Sequence, residues 1–209
     1  MHPFPLRETT LLIPGPAGQL ELMVKAPQHP AGSKVAVICH PNPLQEGTMQ
    51  NKVVTTLART FDQLGLSTVR FNYRGVGKSE GTYGHISGEI QDLLAVLHWT
   101  SEQLPGADYW LAGFSFGTYI SASGAIHWPT QQLVSIAPTI DRHDFGVLAP
   151  HIHCPWLVVQ GDQDEIISAP LVFEWARHAP VEIITLAGAG HFFHGRLVEL
   201  REKLLEKLR

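Results

Sequence analysis

From residue 34 onward, short apolar runs alternate with segments whose apolar positions recur every three or four residues. Lys34-Val35-Ala36-Val37-Ile38-Cys39 is a continuous run of the kind seen in strands covered on both faces. Leu66–Phe71, Tyr109–Ala112, Leu133–Ala137, Trp156–Val159 and Val181–Leu186 read as further strands. Between them, Met49–Leu64 carries Val53, Leu57, Phe61 and Leu64 at helical spacing, with Gly65 as its stop. Ile90–Leu104, the stretch after Ser115 and Leu171–Arg177 read as helices too. The last segment, Gly195–Arg209, is amphipathic: Leu197, Leu200, Leu204 and Leu208 turn inward, and Glu199 and Lys203 are spaced to pair outside. Ahead of residue 34, Glu8–Ile13 and Gln19–Lys25 flank the turn residues Pro14–Gly18, which predicts a hairpin at a sheet edge.

Strand–helix alternation implies right-handed crossovers, hence an α/β fold: a mostly parallel, twisted sheet with helices on both faces. About sixteen residues separate Pro138 from Pro155, too few to build a cap or lid domain. Neither repeats nor linkers interrupt the 209 residues, and 1–209 is expected to form one domain.

Composition narrows the function classes. Hydrophobic residues make up 44% and charged residues 16%, ordinary for a globular chain. With a net charge of −4 and no basic stripe, nucleic acid is not an expected partner. No apolar run reaches the length of a membrane span, and Met1–Arg7 reads as neither signal nor anchor. Cys39 lies in an apolar strand and Cys154 precedes a proline; both are expected to be reduced thiols of a cytoplasmic protein. Monomer and homodimer remain open.

The candidate chemistry collects at strand ends, where parallel sheets bind ligands. Gly113-Phe114-Ser115-Phe116-Gly117 follows an apolar strand and opens a helix. A serine at such a tight turn projects its hydroxyl from the strand end, and the flanking glycines avoid collisions with neighbouring backbone. After the Trp156–Val159 strand comes Gln160-Gly161-Asp162-Gln163-Asp164-Glu165, and after the Val181–Leu186 strand comes Gly188-Ala189-Gly190-His191. A serine nucleophile needs a histidine to take its proton and a carboxylate to orient the imidazole. Gly77-Lys78-Ser79 ends like a phosphate loop, but residue 72 is Asn where a glycine is required, and Glu80-Gly81 follow where a helix must open. His151-Ile152-His153-Cys154 lacks a fourth ligand at typical spacing, so no metal site is expected.

The region from about Lys34 to His194 resembles the α/β-hydrolase superfamily of serine hydrolases, and is similar to a subgroup of small, lidless bacterial members. Gly113–Gly117 matches the nucleophile elbow, Gly161-Asp162-Gln163-Asp164 the acid loop, Gly188-Ala189-Gly190-His191 the base loop, and Arg74-Gly75-Val76-Gly77-Lys78-Ser79 a further family loop. His40-Pro41-Asn42-Pro43-Leu44 through Lys52 carries the likeness to the lidless subgroup. The resemblance implies a catalytic triad of Ser115, Asp164 and His191, with Asp162 and Asp141 as alternative acids. One oxyanion donor is expected to be the backbone N–H of Phe116. The other comes from the loop after Cys39, where Pro41 and Pro43 have no N–H; that leaves Asn42, with Leu44 as its rival. His40 is expected to support this loop. The implied activity is hydrolysis of small soluble carboxylic esters or thioesters through an acyl-enzyme, with no cofactor. A peptidase or acyltransferase on the same triad and a non-catalytic binding member of the fold are the alternatives.

Overall fold

The computed structural model describes residues 3–209; Met1 and His2, part of the amino-terminal stretch read above, lie outside the described residues. In chain order the elements are β1 (Thr9–Gly15), β2 (Gly18–Lys25), β3 (Lys34–Cys39), α1 (Lys52–Gln63), β4 (Ser67–Phe71), α2 (Ser87–Gln103) and β5 (Asp108–Phe114). They continue with α3 (Phe116–His127), β6 (Gln132–Ile136), β7 (Trp156–Gly161), α4 (Ala169–His178), β8 (Glu182–Leu186) and α5 (Leu197–Leu208). The strands form one sheet in the order β1-β2-β4-β3-β5-β6-β7-β8. β1 and β2 are the expected hairpin at its edge, β2 joins β4 antiparallel, and every pair from β4 to β8 is parallel.

Alternating side chains divide the core. Val35, Val37 and Cys39 of β3 face Leu93 and Val96 of α2 and Ile120 of α3. Ala36 and Ile38 face the other way, toward Val53, Leu57 and Phe61 of α1 and Leu200 and Leu204 of α5. Fully burying each such large side chain is worth roughly 1.5–3 kcal/mol, and a one-residue slip would turn the whole set around. Register is therefore fixed. Cys39 lies beside Gly113, Phe114 beside Ile136, and Gly161 beside Leu186, so the chain leaves β3, β5, β7 and β8 along one edge of the sheet.

The sequence reading places no helix between β6 and β7, and a 3₁₀ turn at Ala149–His151 is the regular structure there. Two other features differ from that reading. α2 begins three residues earlier than its apolar spacing indicates, because the buried Glu89 carboxylate accepts the Gly84 and Ile86 N–H groups and holds an entry turn in which Ile86 has φ 75°. On α5, Glu199 pairs with Arg196 and Lys203 with Glu206, each at a spacing of three, rather than with one another. The Arg74–Ser79 loop is scaffold: Arg74 forks onto Asp92 of α2, and the Ser79 hydroxyl bonds the Asn72 carbonyl while accepting the Glu21 N–H.

Candidate active site

Ser115 stands between β5 and α3 with φ 54° and ψ −123°, a conformation costly for a residue with a Cβ. Its N–H is tied to the Ile136 carbonyl at 2.9 Å, which holds the turn. The two glycines of the motif are steric requirements: a Cβ on Gly113 would lie 2.1 Å from the Gly117 carbonyl oxygen, and one on Gly117 would lie 2.3 Å from that of Cys39. The second close approach presses the start of α3 against the end of β3.

A continuous hydrogen-bond chain runs from that serine. The Ser115 Oγ lies 3.0 Å from His191 Nε2, and His191 Nδ1 lies 2.9 Å from Asp164 Oδ2. With Nδ1 donating to the carboxylate, Nε2 is left as the acceptor for the serine hydroxyl. Asp164 Oδ1 accepts the N–H groups of Ile166 and Ile167 at 2.9 and 2.8 Å. Burial alone would raise this carboxyl, but the bonds from His191, Ile167 and Ile166 outweigh it and hold Asp164 below the ordinary carboxylate range. The other two candidate acids are engaged elsewhere: Asp162 Oδ1 accepts the Gly188 N–H, tying the acid loop to the base loop, and Asp141 is paired with Arg142.

The loop after β3 meets the start of α3. Leu44 N–H is taken by the Asn42 side chain at 2.9 Å, whereas the backbone N–H of Asn42 donates to no acceptor among the described residues. His40 braces this loop. Its Nε2 accepts the Tyr73 N–H at 3.2 Å, so Nδ1 carries the proton and donates to the Pro41 carbonyl at 2.7 Å. That carbonyl belongs to the same planar peptide as the Asn42 N–H, so the imidazole also fixes the direction of this donor. Burial pushes His40 down to about 3, despite the bond to Pro41, which acts the other way.

Of the aromatic and aliphatic residues near the motif, Tyr73, Phe114 and Phe193 are core. Phe192 is 37% exposed and stands edge-on to the His191 ring at 5.0 Å, while His191 itself is 2% and Ser115 8% exposed. A cleft of about 370 Å³ lies elsewhere, lined by Gln132, Pro155, Trp156, Pro180 and Glu182 at the opposite, amino ends of β6 to β8. Two neighbours of the chain escaped the sequence reading. Glu165 Oε2 accepts the backbone N–H of His191 at 3.1 Å, and Gln160 Nε2 donates to Asp164 Oδ2 at 2.9 Å. A signal existed for Gln160: it is the polar interruption of the apolar run from Trp156, in a strand buried on both faces.

Known proteins are similar to this chain. The family described as serine aminopeptidase, S33, matches residues 48–148. An uncharacterized protein of Rickettsia prowazekii is 33% identical over 206 residues, covering 93% of this chain and 86% of that one. An alpha-beta serine hydrolase homologue from Coxiella burnetii is 51% identical, with a TM-score of 0.93 over 96% of this chain and 97% of its own. A protein of Xanthomonas campestris described as a serine hydrolase without lid is 40% identical, with a TM-score of 0.91 over 97% and 94% of the two chains.

Proposed function

This chain belongs to the α/β-hydrolase superfamily of serine hydrolases, and from that membership we propose that it hydrolyses small, soluble carboxylic esters or thioesters through a Ser115–His191–Asp164 triad. The observation that carries the reading is the unbroken hydrogen-bond chain from Ser115 Oγ through both nitrogens of His191 to Asp164. His191 Nε2 takes the hydroxyl proton as Ser115 Oγ attacks the acyl carbonyl. The Asp164 carboxylate, kept anionic by its donors, stabilises the imidazolium that forms. The tetrahedral oxyanion is received by the N–H groups of Phe116 and Asn42, each worth about 3 kcal/mol in the transition state. His191 then protonates the leaving atom, the C–O or C–S bond breaks, and the acyl group stays on Ser115. Water, deprotonated by the same imidazole, releases the acid and restores the serine.

The lack of a lid favours a small substrate that reaches the serine from bulk water. Because the leaving atom receives its proton at Nε2, its substituent emerges beside the imidazole, next to the exposed ring of Phe192. The test is a fluorophosphonate probe with peptide mapping: an adduct on Ser115, and loss of both adduct and ester turnover in Ser115→Ala, are expected. A wild-type protein that neither labels nor cleaves short esters would sink the reading.

The family description supplies a second reading, an aminopeptidase on the same triad. Aminoacyl amides assayed beside esters of the same acids separate the two.

A further inference from the structure

We propose that Gln160 is a positioning residue for the acid: its side-chain amide fixes the Asp164 carboxylate and draws charge from the oxygen that faces the imidazole. The inference rests on the triad reading above and goes beyond it. Gln160 lies near the end of β7 and is fully buried. Its Nε2 donates to Asp164 Oδ2 at 2.9 Å and to the Gly161 carbonyl at 3.1 Å. Its Oε1 is buried and has no partner among the described residues. Leaving a carbonyl oxygen unbonded in the interior is costly, and an apolar side chain would continue the run from Trp156 without that cost. Turning the amide over would set its oxygen against a carboxylate and a carbonyl, both acceptors, so the observed orientation is fixed by its surroundings.

The four bonds on the carboxylate divide the work. The Ile166 and Ile167 N–H groups anchor Oδ1. The twist of an Asp carboxyl about its last bond is otherwise soft. On Oδ2, Gln160 and His191 Nδ1 share one oxygen. Without Gln160 the carboxylate is held by protein donors at Oδ1 alone and can twist about its last bond, so the imidazole is less well aligned with Ser115 and labelling slows. Oδ2 is also left more basic, and the imidazolium is then held more firmly.

The titratable groups facing this contact are Asp164, His191 and Glu165, whose carboxylate accepts the His191 N–H. Arg142 reaches the adjoining acid loop at the Ile166 carbonyl. β6 ends beside it, where the Ala137 N–H donates to the Val159 carbonyl, and β8 brings Thr185 into register with Gln160.

The experiment records the rate of fluorophosphonate labelling at Ser115 against pH, for wild type, Gln160→Leu and Gln160→Glu, with urea unfolding of each. In Gln160→Leu the rate is expected to fall about 10- to 100-fold and the acid limb of the profile to move to higher pH. Gln160→Glu still donates while its carboxyl is protonated, so it is expected to keep near-wild-type rates on the acid side. A folded Gln160→Leu whose acid limb stays put or moves to lower pH overturns the proposal. So does a Gln160→Glu slowed equally at every pH, or failure of both variants to fold, which would assign the residue to stability. Absence of labelling in wild type would instead remove the triad reading beneath it.

Discussion

The loops after β3 and β8 each carry a buried histidine, His40 and His191, and both ring nitrogens of each are engaged. Their partners differ. His40 is bonded to two backbone groups, Pro41 C=O and Tyr73 N–H, neither of which exchanges protons. His191 is bonded to a carboxylate and a hydroxyl, one able to offset a positive charge and the other able to release a proton. Equal burial thus accompanies opposite surroundings: one ring is locked neutral as a brace, the other has the partners that the proposed proton cycle needs. Motif spacing identifies histidines at both strand ends; the partners tell them apart.

The largest test of that contrast is His191→Ala, expected to lower kcat by roughly 10⁴- to 10⁶-fold in an ester assay while far-ultraviolet circular dichroism stays unchanged. His40 is expected to govern acid stability. As pH falls through 6.5, the unfolded chain takes up a proton that the folded ring refuses until about 3. Stability is therefore fully present above that window and declines within it by about 1.4 kcal/mol per pH unit, or about 5 kcal/mol in all. Urea midpoints across that range should show the decline, and His40→Asn should make it shallower by one proton; an equal slope in both proteins would refute the assignment. Asn42→Pro comes next. Its φ of −53° suits proline, so the change deletes the N–H and should cost about 10²- to 10³-fold in kcat. Asn42→Ala, which keeps the N–H but loses the bond to Leu44, serves as the control. The smallest effect is expected at Phe192. Its change to alanine should lower kcat/KM about threefold to tenfold for benzyl esters, and not for methyl esters of the same acid, since a lost aromatic contact is worth about a kcal/mol.

The strands, the sharp turn at Ser115 and the strand-end placement of Asp164 and His191 were legible because each follows from local pattern. Val35–Cys39 of β3 and Trp156–Val159 of β7 are apolar runs, and the glycines around Ser115 mark a turn that few other residues allow. What escaped depends on contacts across the chain. Glu165 reads as a surface carboxylate until the base loop folds over it. The Glu199–Lys203 spacing was sound, yet Arg196 and Glu206 stand one turn away in competing positions. The early start of α2 is set by Glu89, whose capping role depends on the bend before it. What distinguishes Leu44 from Asn42 is a side chain folding back on its own loop, which takes the Leu44 N–H.

The proposed base, His191, follows the last strand in the sheet order, β8, which has a neighbour on one side only among the described residues and exposes much of its length. Fraying at that border carries the imidazole off while the interior strands keep their grip. Gentle warming is thus expected to silence the molecule before it melts, with turnover and tryptophan emission from one sample parting company as the temperature climbs.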